Sequence, residues 1–78
     1  MIEIVEYIVK QLAENPDAIS LAEREDGDMT IIDVTVDAAD MGRVIGKGGR
    51  VAQSIRSIIK SIGSKNRKKV IVKFVEKE

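Results

Sequence analysis

The sequence predicts an α+β fold of order α-β-β-α-α-β, in which three helices cover one face of a three-stranded sheet. Three observations carry this. Apolar residues recur at helical spacing in two segments, Ile2, Val5, Ile8, Val9 and Leu12, then Val51, Ile55, Ile58, Ile59 and Ile62. Residues 28–36 and 70–75 are β-branched runs with strand-like alternation. Asp26-Gly27 stands between two strand-like runs, which is the chemistry of a tight hairpin turn. Strands in so short a chain must share one sheet, and helices with a single apolar stripe must bury it against that sheet.

The elements follow in order. Residues 2–14 form the first helix, and Asn15-Pro16 ends it, because proline constrains the residue before it and offers no amide to the helical ladder. Residues 19–25 form a short first strand. In the second strand, residues 28–36, Thr30, Ile32, Val34 and Val36 point to one, mostly buried, face, and Met29, Ile31, Asp33 and Thr35 point to the other. Asp37 caps a short helix over 38–45, with Asp40 three residues on as a weak capping box. Gly46, Gly48 and Gly49 interrupt the helical pattern. The third helix covers 50–62, with Gly63 as its C-cap. Residues 64–69 form a polar, basic loop before the last strand. No repeat, low-complexity tract or linker divides the chain, so residues 1–78 read as one domain.

Composition removes several function classes. A chain of 78 residues buries only about 60% of its unfolded surface, so no deep cavity for a large cofactor is expected, and none is assigned. With no cysteine and no histidine, disulfides, thiolate metal sites, cysteine nucleophiles and histidine bases are excluded. The acids lie mostly away from the glycines, and no enzymatic activity is expected. No apolar run approaches the roughly 20 residues of a membrane span, and Glu3 stands where a secretory leader carries positive charge. A cytoplasmic protein without membrane contact is the expectation. Tyr7 and Phe74 are the only aromatics, too few for a sheet that stacks successive bases on aromatic rings.

The formal net charge is zero, but the charge is segregated along the chain. Residues 1–40 carry eleven acids against Lys10 and Arg24, and residues 41–78 carry eleven bases against Glu76 and Glu78. Such asymmetry points to a polyanion-facing surface on the second half, unless the halves interleave in space.

The most informative stretch is Met41-Gly42-Arg43-Val44-Ile45-Gly46-Lys47-Gly48-Gly49-Arg50. Glycines let the chain turn sharply and let a ligand approach bare backbone. A helix that starts just after them presents unpaired amides and partial positive charge to a phosphate. A Walker loop requires four residues between its glycines and Ser or Thr after the lysine. Here Gly42 and Gly46 have three between them, and Gly48 follows Lys47. A dinucleotide fingerprint counted from Gly46 requires glycine where Val51 stands. What remains is G-x-x-G, Gly46-Lys47-Gly48-Gly49, between two short helices.

In its context, Val44-Ile45-Gly46-Lys47-Gly48-Gly49-Arg50 after a hairpin and before a helix and strand, this loop resembles that of the KH domains of RNA-binding proteins. The element order is similar to the type II, or prokaryotic, KH topology over almost the whole chain. The resemblance implies a mixed sheet in which the strands flanking the helix pair lie parallel. It implies a loop that clamps the backbone of about four nucleotides. Gly46, Lys47, Gly48, Gly49 and Arg50, with Arg43 beside them, would hold the sugar–phosphate. Val44, Ile45 and Val51 would offer an apolar platform, and Ser54 a polar contact to base edges. Lys65, Arg67, Lys68 and Lys69 would border the same groove from the variable loop, with the last strand.

The implied ligand is single-stranded RNA, and the implied role is that of an RNA chaperone or post-transcriptional regulator, in a family tied to cell elongation and envelope control. The implied partners are a second copy of the chain or a larger KH-containing protein. The alternative is a KH scaffold that serves protein interaction, including dimerisation, without RNA. Ile58, Ile59 and Ile62 read as core, with a dimer face as the other use for so many isoleucines. Gly42 either permits close helix packing or keeps a groove wall low.

Overall fold

The computed structural model describes residues 2–77. Helix α1 spans Ile2–Leu12, strands β1 and β2 span Ser20–Asp26 and Met29–Val36, helices α2 and α3 span Ala38–Ile45 and Arg50–Lys65, and strand β3 spans Lys69–Glu76. Short 3-10 turns occupy Pro16–Ala18 and Lys47–Gly49. The sheet order is β1-β2-β3. β1 and β2 run antiparallel about the Asp26–Met29 pair, and β2 and β3 run parallel with Ile32 opposite Val72. The fold is therefore the type II KH arrangement, with its mixed sheet.

Alternation along β2 sets the core. Ile32, Val34 and Val36 are fully buried beneath Val5 and Val9 of α1, Val44 of α2, and Ile55 and Ile59 of α3, with Val72 of β3 beside them. Each such side chain contributes roughly 1.5–3 kcal/mol by leaving water. The opposite face of the sheet carries no helix. Even there Ile31 is only 4% exposed, lying opposite Arg24, whose Nε donates to Asp33 at 2.8 Å. This pair raises the pKa of Arg24 and lowers that of Asp33, in both cases first through the hydrogen bond between them.

Three local expectations are corrected. First, Asp40 is not part of a capping box. Asp37 sits at the N-cap of α2 but makes no side-chain capping bond. Asp40 is buried and turns back to α1, accepting the amides of Glu14 at 2.9 Å and Asn15 at 3.0 Å. Those amides follow the end of α1, where no further helical carbonyl is in register, so a carboxylate replaces the lost acceptor. The two backbone hydrogen bonds, ahead of the nearby Arg43 charge, hold the Asp40 pKa below its ordinary value, against the opposing effect of burial. Second, α1 ends at Leu12, with its last apolar position and two residues before the boundary expected from Asn15-Pro16.

Third, Gly63 does not end α3. It is a buried residue inside the helix, where a Cβ would come within 2.9 Å of Val70 Cγ2 and 3.0 Å of the Lys68 carbonyl oxygen. Glycine is there so that α3 can lie close against the start of β3. The helix runs on to Lys65 and closes with Asn66 as C-cap. The amide of Lys68 donates to Gly63 O at 2.8 Å and that of Arg67 to Ser64 O at 3.1 Å, a Schellman closure. The left-handed position of this motif, usually glycine, is held by Arg67 with φ of 57°.

Candidate nucleic-acid interface

The glycine loop has a left-handed backbone at Gly46 (φ 77°), Gly48 (64°) and Gly49 (75°). The three serve different ends. A Cβ on Gly46 would sit 2.3 Å from Val51 Cγ2, so this glycine lets the loop fold down onto the first turn of α3. Gly48 and Gly49 face open space, where nothing lies within 4 Å of a Cβ. Gly49 is the N-cap of α3 and supplies no side-chain acceptor. The first-turn amides of a 16-residue helix are thus left without a side-chain cap, with Lys47 and Arg50 exposed on either side. The amides of Gly46 and Gly49 are turned inward, to Gly42 O at 2.9 Å and Gly46 O at 3.1 Å.

Along α3 the side next to β3 carries two bases that sequence reasoning missed. Arg56 reaches over to β3, where its Nε donates to Val72 O at 3.2 Å and its guanidinium lies 5.5 Å from the centre of the Phe74 ring. Lys60, one turn on, joins Ser64, Lys68, Lys69, Val70 and Ile71 around a cleft of about 500 Å³. The available signal was position. Arg56 and Lys60 each follow a core isoleucine, Ile55 and Ile59, by one residue, and so flank the apolar stripe.

Several predicted site residues are placed differently. Val44 is fully buried in the core and cannot form a platform for a base, while Ile45 and Val51 are half-buried and pack against that core. Arg43 is turned to the end of α1, where Nη2 lies 3.3 Å from Glu14 Oε1. The Ser54 hydroxyl donates to Arg50 O at 2.9 Å, within its own helix. Two residues of α-helix turn about 200°, so Ser54 and Arg56 face nearly opposite ways. Gly42 is exposed with nothing near it, so it is not there for close helix packing.

The basic loop is shorter than expected. Lys65 ends α3, Arg67 and Lys68 form the connection, and Lys69 opens β3. These residues and the glycine loop lie at opposite ends of α3, about 24 Å apart along its axis. They do not face one another across a narrow slot. The α3–β3 seam, with Arg56 and Lys60, connects them. Of the three isoleucines, Ile59 is core, Ile62 is half-buried and Ile58 is 47% exposed.

A protein-family model described as "KhpA/KhpB, KH domain" matches residues 2–74. The chain belongs to this KH family. It is 44% identical to the "RNA-binding protein KhpA" of Caldanaerobacter subterraneus subsp. tengcongensis over 73 residues, 94% of this chain and 97% of the relative. It is 39% identical to the "RNA-binding protein KhpA" of Aquifex aeolicus over 95% of this chain and 94% of the relative. It is 38% identical to that of Listeria monocytogenes over 97% of this chain and the whole relative. No solved structure gives a significant match.

On this KH fold the segregated charges gather mainly at opposite edges of the sheet, although Asp33 on β2 lies opposite Lys73 on β3. Acid-rich β1 (Glu23, Glu25, Asp26) and base-rich β3 (Lys69, Lys73) are the two edges of the sheet, with β2 between them. The Arg43–Glu14 ion pair joins the two halves of the chain where the last turn of α2 meets the end of α1. Among the described residues no helix is long and apolar enough to cross a membrane, and no group of acids could hold a metal ion.

Proposed function

We propose that this chain binds single-stranded RNA, without catalysis, as a small cytoplasmic RNA chaperone or post-transcriptional regulator. The observation that carries the reading is the glycine loop: bare left-handed backbone facing solvent at Gly48 and Gly49, set on an uncapped helix N-terminus between Lys47 and Arg50. A phosphate of the strand sits at that terminus, held by first-turn amides and the two cations. The strand then follows the α3–β3 seam past Arg56 and Lys60 toward Lys68, Lys69 and Arg67. Family membership and relatives named RNA-binding proteins support this reading.

The exposed Ile58, set among Arg50, Gln53, Ser54 and Ser57 on the other side of α3, supports association with a second copy or with a larger KH protein of the KhpB/Jag type.

The deciding variant is Lys47→Asp with Gly48→Asp. Aspartate tolerates the left-handed backbone at position 48 better than most residues. The double variant keeps its circular dichroism spectrum and thermal transition, and loses at least tenfold in affinity for a fluorescent oligoribonucleotide. A folded variant that binds as tightly as the parent places the site elsewhere.

A further inference from the structure

We infer that Arg56 selects one base of the bound strand, taking a base whose free edge carries two adjacent hydrogen-bond acceptors: guanine through O6 and N7, or cytosine through N3 and O2. The inference rests on the RNA-binding reading above and adds a sequence preference to it.

The Lys77 amide donates to Val36 O on β2, so by alternation the backbone groups of Val70, Val72 and Phe74 point away from β2, to the free edge. Arg56 comes from α3 to that edge and is fixed twice, by the Nε bond to Val72 O at 3.2 Å and by the Phe74 ring 5.5 Å away. These contacts set the position of the guanidinium and use one of its five N–H donors. No acceptor among the described residues takes the two Nη groups, and the side chain is solvent-exposed. Arg24 and Arg43, by contrast, are each held by a carboxylate. A cation with its Nη pair free and its orientation set by the fold is prepared for a planar, two-point partner.

Among the bases, guanine and cytosine each present two neighbouring acceptors, and arginine pairs with guanine O6 and N7 in this way. Adenine and uracil place a donor beside each acceptor on their free edges, so one arm of the fork would meet an N–H. The bases of a single strand are unpaired and offer these edges without cost.

The test uses the whole chain and four seven-nucleotide oligoribonucleotides, uridine throughout except for G, C, A or U at the centre, read by fluorescence anisotropy. The parent binds the G or the C oligonucleotide about tenfold more tightly than the A and U ones, and the two arms show which base is preferred. Arg56→Lys keeps the charge and stem but not the fork. It brings the four affinities within about twofold of one another, with the larger loss falling on the preferred oligonucleotide. In the labelled parent, the Arg56 Nε–H resonance shifts with the preferred oligonucleotide and not with the uridine one, a readout that needs no variant. Equal affinities for all four oligonucleotides overturn the inference and leave RNA binding intact. So does an Arg56→Lys loss that is the same for all four, which would make Arg56 a phosphate contact. If the parent binds none of them, the RNA-binding reading falls and this inference with it.

Discussion

Asp40 and Asn15, 25 positions apart, meet through a 3.0 Å hydrogen bond from the Asn15 amide to the buried carboxylate. Together with the Glu14 amide, this ties the end of α1 to the helix that leads into the glycine loop. Because the folded pKa of Asp40 lies below the ordinary 3.8, its contribution is fully present above that value and is lost as pH falls through the folded pKa. Asp40→Asn cannot accept both amides as an anion does. It lowers the melting temperature at neutral pH by several degrees and flattens the loss of stability below about pH 4. Thermal melts from pH 7 to pH 2 check both.

Gly42 and Gly63 both lie in helices, and their replacement by alanine has opposite signs. At Gly42 nothing lies within 4 Å of the new Cβ, so Gly42→Ala gains helix propensity, about 1 kcal/mol. At Gly63 the Cβ meets the backbone oxygen of Lys68 at 3.0 Å and the β-branched Val70 at 2.9 Å. Neither can rotate away, so Gly63→Ala lowers stability by about 1–3 kcal/mol despite the better propensity. Urea denaturation of the two variants decides it.

Arg67 holds a left-handed backbone that favours glycine. Arg67→Gly relieves about 1–2 kcal/mol of strain and returns part of it through the greater freedom of the unfolded chain. Stability rises by about 0.5–1 kcal/mol, while RNA affinity falls because a cation is removed. The urea midpoint and the binding isotherm of one variant should move in opposite directions.

RNA affinity falls with salt. With about three or four phosphate contacts on a single strand, the logarithm of affinity declines against the logarithm of salt with a slope of roughly −2 to −3. Titrations at several salt concentrations measure it, and the Lys47→Asp, Gly48→Asp variant should show a shallower slope.

Much of the fold was legible because it depends on periodicity. The valines and isoleucines of β2 and α3 announce their faces, and Asp26-Gly27 announces the turn. The glycine loop was legible because its spacing excluded two other phosphate motifs and its context matched one family. Asp40, Gly63 and Arg56 were not legible, for a shared reason. Each is defined by a partner 5 to 26 positions away: Asp40 by the Glu14 and Asn15 amides, Gly63 by Lys68 and Val70, and Arg56 by Val72 and Phe74. No local rule reports where those partners arrive. Val44 was misread because a residue beside a loop can still point inward when the helix before the loop packs on the sheet.

The acidic and basic edges of the sheet have a consequence for how the molecule meets its ligand. A neutral body with separated poles feels little net pull from a distant polyanion but rotates in its field, so it arrives already turned. At physiological ionic strength, screening acts over about 8 Å, less than the 22 Å middle dimension of the molecule, and a strand on one side does not sense the acids on the other. At about 0.01 M salt the reach grows to roughly 30 Å and spans both poles. Diluting the buffer then strengthens repulsion along with attraction, and the gain in binding levels off.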